Sequence, residues 1–372
     1  MYYIFCLFVI ILLYVERLKY KTIITPVSLM GISYLIAIVV AKIGEIFYSY
    51  YTISSKTFSI LIISLVFAWL PSVILPIYSS KELAKEKKQF SNTNIFYMYM
   101  LLILLFMGLI LKLRNGKIAT EAFESNYMHG PFAHILNLFT VIIMYSICFA
   151  KKKFSTILLI IFGVFFIFLS GVKYHIMFVF LIYILKLLYK GNIKDFWFIG
   201  ILCLIGVLAL FIFNYFASFF LRGVKNDAFM KFVLNHFCMY ISGGIIAFSR
   251  LLDGFHPGIN NFVFIDSLGL KSTNVYTIIG QLYMQFGYKS YFVILFLSFI
   301  AYILFYLFIS NKERKQMFYF LVYVLFSGVP FLLSFFGSYY DLSRTYELPI
   351  IASILFFLLQ KNFAREIIEY KI

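Results

Sequence analysis

The chain alternates long apolar runs with short cationic punctuation, and the runs define its elements. They cover about 2–15, 22–41, 57–78, 93–111, 132–150, 154–170, 174–189, 196–219, 290–309, 317–337 and 348–360. Most approach the roughly 20 residues with which a helix, rising 1.5 Å per residue, crosses a ~30 Å hydrocarbon core. The pattern predicts an all-α polytopic membrane protein with about eleven transmembrane helices. The runs at 174–189 and 348–360 are short, so neighbouring polar residues extend them or they are partly re-entrant. The first run begins at Tyr2 with no basic leader and no small-residue cleavage pattern, and reads as a span rather than a signal peptide.

The connecting segments give an orientation. Cations cluster in alternate loops: Arg17, Lys19 and Lys21; Lys81, Lys85, Lys87 and Lys88; Lys151, Lys152 and Lys153. The series continues with Lys190 and Lys194, then Lys312, Arg314 and Lys315, then Lys361, Arg365 and Lys371. Eighteen of the 32 Lys and Arg residues thus fall on one side, which the positive-inside rule makes cytoplasmic. The register places the N-terminus outside and the C-terminus inside.

Composition agrees with this pattern. Apolar residues make up 63% of the chain and charged ones 13%, about half the share of a soluble domain. The net charge of +17 raises nucleic acid as a partner. The lysines sit in short clusters between apolar runs rather than along one face, which argues against it. Cys6, Cys148, Cys203 and Cys238 have neither metal-ligand spacing nor a disulfide pattern. The sequence therefore predicts no metal and no cofactor, and a single transmembrane bundle over 1–372.

The outer side is different. Its largest polar region is the segment 220–289, where charges alternate with apolar stretches such as Phe237–Phe248, interrupted by Ser242-Gly243-Gly244. Short helices lying on the membrane or dipping into it suit that pattern. The outer cations oppose the positive-inside bias. Lys112, Arg114 and Lys117 read as snorkelling side chains. Arg222, Lys225, Lys231, Arg250 and Arg344 recur among acceptors and aromatics, where they suit a phosphate group or simple attraction to anionic lipid.

Three short stretches carry candidate chemistry. In Ser170-Gly171-Val172-Lys173-Tyr174-His175 the glycine permits a tight turn and Lys173 stands at an outer span junction, pointing into a cavity or serving as an ordinary hairpin lysine. His175 reads as a hydrogen-bonded residue of the next span. In Ser272–Thr277, with Phe286-Gly287-Tyr288 following, Asn274 and Tyr276 suit sugar hydroxyls and ring faces, or a belt of interfacial aromatics with helix caps. The loop 338–347 holds Asp341, Arg344 and Glu347. Asp341 and Arg344 form a surface pair, or one of the carboxylates is a general base. A membrane acyltransferase would favour an intramembrane histidine near a cytoplasmic acyl donor, whereas His129, His134 and His175 lie near outer boundaries.

At these residues the chain resembles the oligosaccharide repeat-unit polymerases, the O-antigen polymerases of Wzy type. The Gly171-Val172-Lys173 hairpin, the Asn274-Val275-Tyr276-Thr277 … Phe286-Gly287 stretch and the layout of many spans around one dominant outer loop carry the likeness. The resemblance implies a metal-independent membrane glycosyltransferase at the periplasmic face of the bacterial inner membrane. Such enzymes move a growing glycan from undecaprenyl pyrophosphate to a hydroxyl of another lipid-linked repeat unit, building O-antigen or related surface polysaccharide. Donor and acceptor glycolipids and the bilayer are the implied partners, a chain-length regulator another. Lys173 stands where family members often carry arginine. The chemistry asks for cations that hold the departing pyrophosphate. Lys173, Arg222, Lys225, Arg250 and Arg344 are the candidates, with Asn274 and Tyr276 toward sugar. It also asks for a base, with Asp341, Asp266 and His236 as the candidates. A lipid-linked oligosaccharide flippase is the alternative, although no repeated halves with broken mid-span helices are evident.

Overall fold

The computed structural model describes residues 1–76, 131–149, 173–190, 229–254, 277–311, 313–337, 340 and 343–369. Among them every regular element is helical and none is a strand. Helix α1 is Tyr2–Tyr20, α2 Pro26–Tyr48, α3 Ser55–Ile74, α4 Pro131–Phe149, α5 Lys173–Lys190 and α6 Phe229–Leu252. Helix α7 is Ile278–Phe286, and a 3-10 turn at Gly287–Lys289 leads into α8, Ser290–Ser310. Helix α9, Glu313–Tyr323, passes through a π-helical segment at Val324–Gly328 into α10, Val329–Leu332, and α11 is Ser343–Glu369.

Four helical stretches among the described residues are long and apolar enough to cross a membrane: Pro26–Tyr48, Ser55–Ile74, Ile278–Ser310 and Lys315–Leu332. Shorter apolar helices cover Ala133–Tyr145, Met177–Tyr189 and Phe237–Leu252. The runs at 93–111, 154–170 and 196–219 lie outside the described residues. The first run extends further than its apolar edge, to Tyr20. Its last turns bring in Glu16, Arg17 and Lys19, and it is not among the four. The Ser242-Gly243-Gly244 stretch does not interrupt α6, which runs through it for 24 residues. Outward faces are apolar at helical spacing. Tyr3, Leu7, Ile11, Tyr14 and Leu18 are exposed on α1, and Phe292, Phe296, Phe299 and Ile303 on α8. Water would make such stripes costly, whereas hydrocarbon solvates them.

The chain divides into two compact units, 1–80 with 191–306 and 327–342, and 81–190 with 307–326 and 343–372. In the first, α1 buries Phe5, Val9, Leu12, Glu16 and Tyr20 on one stripe. Phe5 meets Phe58 with ring centroids 6.0 Å apart, and Glu16 meets Trp69 and Ser72, so α1 and α3 run parallel. Glu16 is fully buried. It accepts from Trp69 Nε1 at 3.0 Å, from Ser72 Oγ and from Tyr302 OH at 2.8 Å, joining α1, α3 and α8 at one carboxylate. One turn later Lys19 donates to the carbonyls of Ser72 and Leu75, closing the C-terminus of α3.

In the second unit, Phe318 of α9 stacks on Phe356 of α11 at 4.3 Å, and Phe326 meets Tyr346 at 6.0 Å, so the two elements run antiparallel. Helices α4 and α5 are tied twice. His175 bonds Asn137, and Lys186 Nζ donates to the carbonyls of Ile147 at 2.7 Å and Cys148 at 3.2 Å. The ties are ten residues apart on α4 and eleven on α5, about 15 Å in each helix, which makes the pair parallel and in register.

Removing the Glu16 carboxylate leaves three donors in an apolar interior, each costing ~1–3 kcal/mol. Glu16→Ala is therefore expected to lower the melting temperature of the detergent-solubilised protein by a shift equivalent to ~3–5 kcal/mol. Glu16→Gln, which keeps one acceptor oxygen, is expected to lose less. Equal melting of Glu16→Ala and the wild type in differential scanning fluorimetry would remove the carboxylate from its place in the core.

Candidate functional site

The N-terminal turns of α4, α5 and α11 meet in the second unit around Glu347. Helix α4 opens on Pro131, whose fixed φ suits a first helical turn. That puts His134 and Asn137 on adjacent turns of one face, three residues apart. Helix α11 begins at Ser343, so Arg344 and Glu347 are helical rather than part of a loop, and again three apart. The spacing of each pair lets two side chains converge.

His134 Nδ1 lies 2.8 Å from Glu347 Oε1, and Asn137 Nδ2 donates to Glu347 Oε2 at 2.8 Å. Behind them His175 Nε2 lies 2.7 Å from Asn137 Oδ1. The carboxylate fixes the amide, because Asn137 must turn its NH₂ toward Glu347 and its oxygen toward His175. His175 Nε2 then carries the hydrogen. The polarity of the chain runs from buried to exposed: His175 is 1% exposed, the Glu347 side chain 23% and the His134 side chain 69%. Arg344, half-buried one turn before Glu347, is close enough for its positive charge to act on the His175 ring. Glu347 also sits in the second turn of α11, near the positive end of that helix's dipole. A carboxylate is thus held by two directional partners and favourable charge at the mouth of an apolar bundle.

A second polar group lies in the first unit. The connection 49–54 is pinned to α6 at two points: Tyr50 OH bonds Asn235, and Ser54 N donates to Ser249 Oγ at 2.8 Å. Gly44 makes room for this. A Cβ there would come within 2.1 Å of the Tyr50 ring. Tyr51, between the pins, is 39% exposed and donates to Asp253 Oδ2 at 2.7 Å. The Arg250 guanidinium lies 5.5 Å over the Tyr51 ring, a cation–π arrangement. The bond to Asp253 is the main reason the Tyr51 phenol sits above its ordinary pKa. Arg250 therefore stands against an aromatic ring with Asp253 nearby.

The N-terminus of α7 is not open to an anion. Ile278 N donates to the Ser334 carbonyl at 2.8 Å, Ile279 N to Tyr34 OH at 3.2 Å and Gly280 N to Thr277 Oγ1 at 2.8 Å. Thr277 is the helix cap that the segment 272–277 allowed as one of its readings. Gly287, at φ +56°, turns the chain between α7 and α8.

Of the ten residues proposed from sequence, Arg250 and Arg344 have described side chains. Lys173 is the first residue of α5, two before His175, and His236 lies within α6. Asp341, Asp266, Arg222, Lys225, Asn274 and Tyr276 lie outside the described residues. Each carboxylate oxygen of the candidate base Glu347 has one hydrogen-bond partner. His134 and Asn137 were missed as site residues. Their signal was the i, i+3 spacing of two polar side chains at the start of a largely apolar span. Among the described residues no group of three or more His, Cys, Asp or Glu side chains could hold a metal ion.

No family model, no curated protein and no solved structure matches the chain.

Asn137→Leu keeps the branched outline but leaves the buried His175 Nε2–H and one Glu347 oxygen without this partner. It is expected to cost ~2–4 kcal/mol, read as a lower melting temperature in detergent. Asn137→Gln is expected to fall between the two, and a leucine variant as stable as the wild type would show that the chain of bonds carries no packing role.

Proposed function

We propose that the chain is a multi-pass glycosyltransferase of the bacterial inner membrane. It polymerises undecaprenyl-pyrophosphate-linked oligosaccharide units into O-antigen or a related surface polysaccharide at the periplasmic face. The observation that carries this reading is the His134–Glu347–Asn137–His175 chain beside Arg344, at the joined N-termini of three helices. By the cationic register these termini are the outer ends of their spans. The parallel courses of α1, α3 and α8, and of α4 and α5, support that register, which sends all five inward.

The chemistry suits such a site. The acceptor hydroxyl oxygen bonds to the anomeric carbon of the donor glycan as the carbon–oxygen bond to pyrophosphate breaks. The electron pair leaves with undecaprenyl pyrophosphate, and the hydroxyl proton must go to a base. No covalent intermediate is required. Cations that meet the departing pyrophosphate supply the electrostatic part. Arg344, one turn before the carboxylate, is the first candidate for that role. Lys173, Arg222, Lys225 and Arg250 are further candidates, and Asn274 and Tyr276 remain candidates for sugar contact. Asp341, Asp266 and His236 stay as candidate bases from the sequence.

Arg344→Ala and Arg250→Ala are each expected to abolish long chains in a deletion strain complemented with the variant, leaving single capped repeats while protein level is retained. Arg344→Lys is expected to retain part of the activity, since it keeps the charge but loses the planar fork. Surface glycan of wild-type length in both alanine variants would refute the cationic role. A deletion strain that loses surface repeats altogether would point to a flippase.

A further inference from the structure

Within the site just proposed, and resting on that reading, we infer that His134 is the catalytic base and that Glu347 orients it. The pairing at 2.8 Å uses Nδ1 of the ring. A neutral imidazole carries one ring proton, and an ionised carboxylate only accepts, so the contact puts that proton on Nδ1. Nε2 is then left with its lone pair. The His134 side chain is 69% exposed, which leaves this nitrogen open to an incoming hydroxyl.

Glu347 is unsuited to act as the base itself. Oε1 is held by His134 and Oε2 by Asn137, and its side chain is three-quarters covered. It resembles instead the third member of a nucleophile–base–carboxylate arrangement, which holds the imidazole in one tautomer and stabilises the cation formed on it. The buried part of the chain serves the same end. His175 fixes Asn137, Asn137 fixes Glu347, and Glu347 fixes His134. Here the attacking group is an acceptor sugar hydroxyl rather than a protein serine.

The step balances. His134 Nε2 takes the hydroxyl proton as the oxygen bonds to the anomeric carbon, and the pyrophosphate leaves with the electron pair. The imidazolium, paired with Glu347, then returns its Nε2 proton to water on the exposed side. Asp341, Asp266 and His236 are not needed as the base.

The test is chemical rescue in a reconstituted assay with the purified full chain and defined undecaprenyl-pyrophosphate repeat units. His134→Ala is expected to lower kcat at least ~100-fold with KM within about twofold, as for loss of a general base. Added imidazole, which can reach a site this exposed, is expected to restore activity at least tenfold. His134→Gln fills the space and can donate to Glu347, yet has no basic nitrogen, so it is expected to be as slow as the alanine variant and unrescued. It also serves if the alanine variant does not fold. Glu347→Gln is expected to lose ~10–100-fold without imidazole rescue. Wild-type rates in His134→Ala or His134→Gln, or a slow alanine variant indifferent to imidazole, would overturn the assignment while leaving the polymerase reading intact. A wild-type protein that makes no polymer would end both.

Discussion

A polar side chain inside an apolar helix bundle must find its partner there, because neither hydrocarbon nor packed side chains can replace water. That constraint organises each unit. Glu16 gathers Trp69, Ser72 and Tyr302 from two other helices. Lys186 finds the last carbonyls of α4, and Tyr34 finds an amide of α7 and a carbonyl beyond α10. Apolar contacts alone permit helices to slide or rotate against one another at little cost. These few directional bonds select one register, and in the second unit the same requirement assembles the candidate site.

The outer turns of α4, α5 and α11 show how structure and chemistry share residues. Asn137 is buried with both ends of its amide bonded and His175 is buried and tied to it through Nε2, so they behave as core. Their bonds nevertheless end on a carboxylate and an exposed imidazole that have no packing reason to be held so firmly. A gradient from 1% exposure at His175 to 69% at the His134 side chain carries orientation from the interior to the solvent. Rigid backing with one open nitrogen is what a base requires.

Much of the helical layout was legible in the sequence, because apolar runs and their period report directly on the solvent around them. The edges at 132–150, 174–189 and 290–309 fall within a residue or two of α4, α5 and α8. The run at 348–360 does extend into its polar neighbours: α11 starts at Ser343, and the partners of Glu347 stabilise that helical start in an apolar setting. Loop reasoning placed those two residues with Asp341 instead. Glu16, Arg17 and Lys19 show the same difficulty at the other end of the chain. Charge at a span edge reads as loop until its partners, fifty or more residues away, are known. The site suffered for that reason. Arg344 and Glu347 stood out as charges, whereas His134 and Asn137 passed as isolated polar residues, because their i, i+3 spacing marks a shared face but not the partner that waits on another helix.

The central claim, a carboxylate-backed imidazole that serves glycan transfer from a lipid pyrophosphate, is tested most directly by product analysis. Purified wild-type protein would be reconstituted with one defined undecaprenyl-pyrophosphate repeat unit, and the products sized by mass. The account predicts a ladder rising by one repeat at a time, with one undecaprenyl pyrophosphate released for each linkage. Repeat units recovered unchanged, or moved intact across the bilayer without release of the lipid carrier, would contradict it.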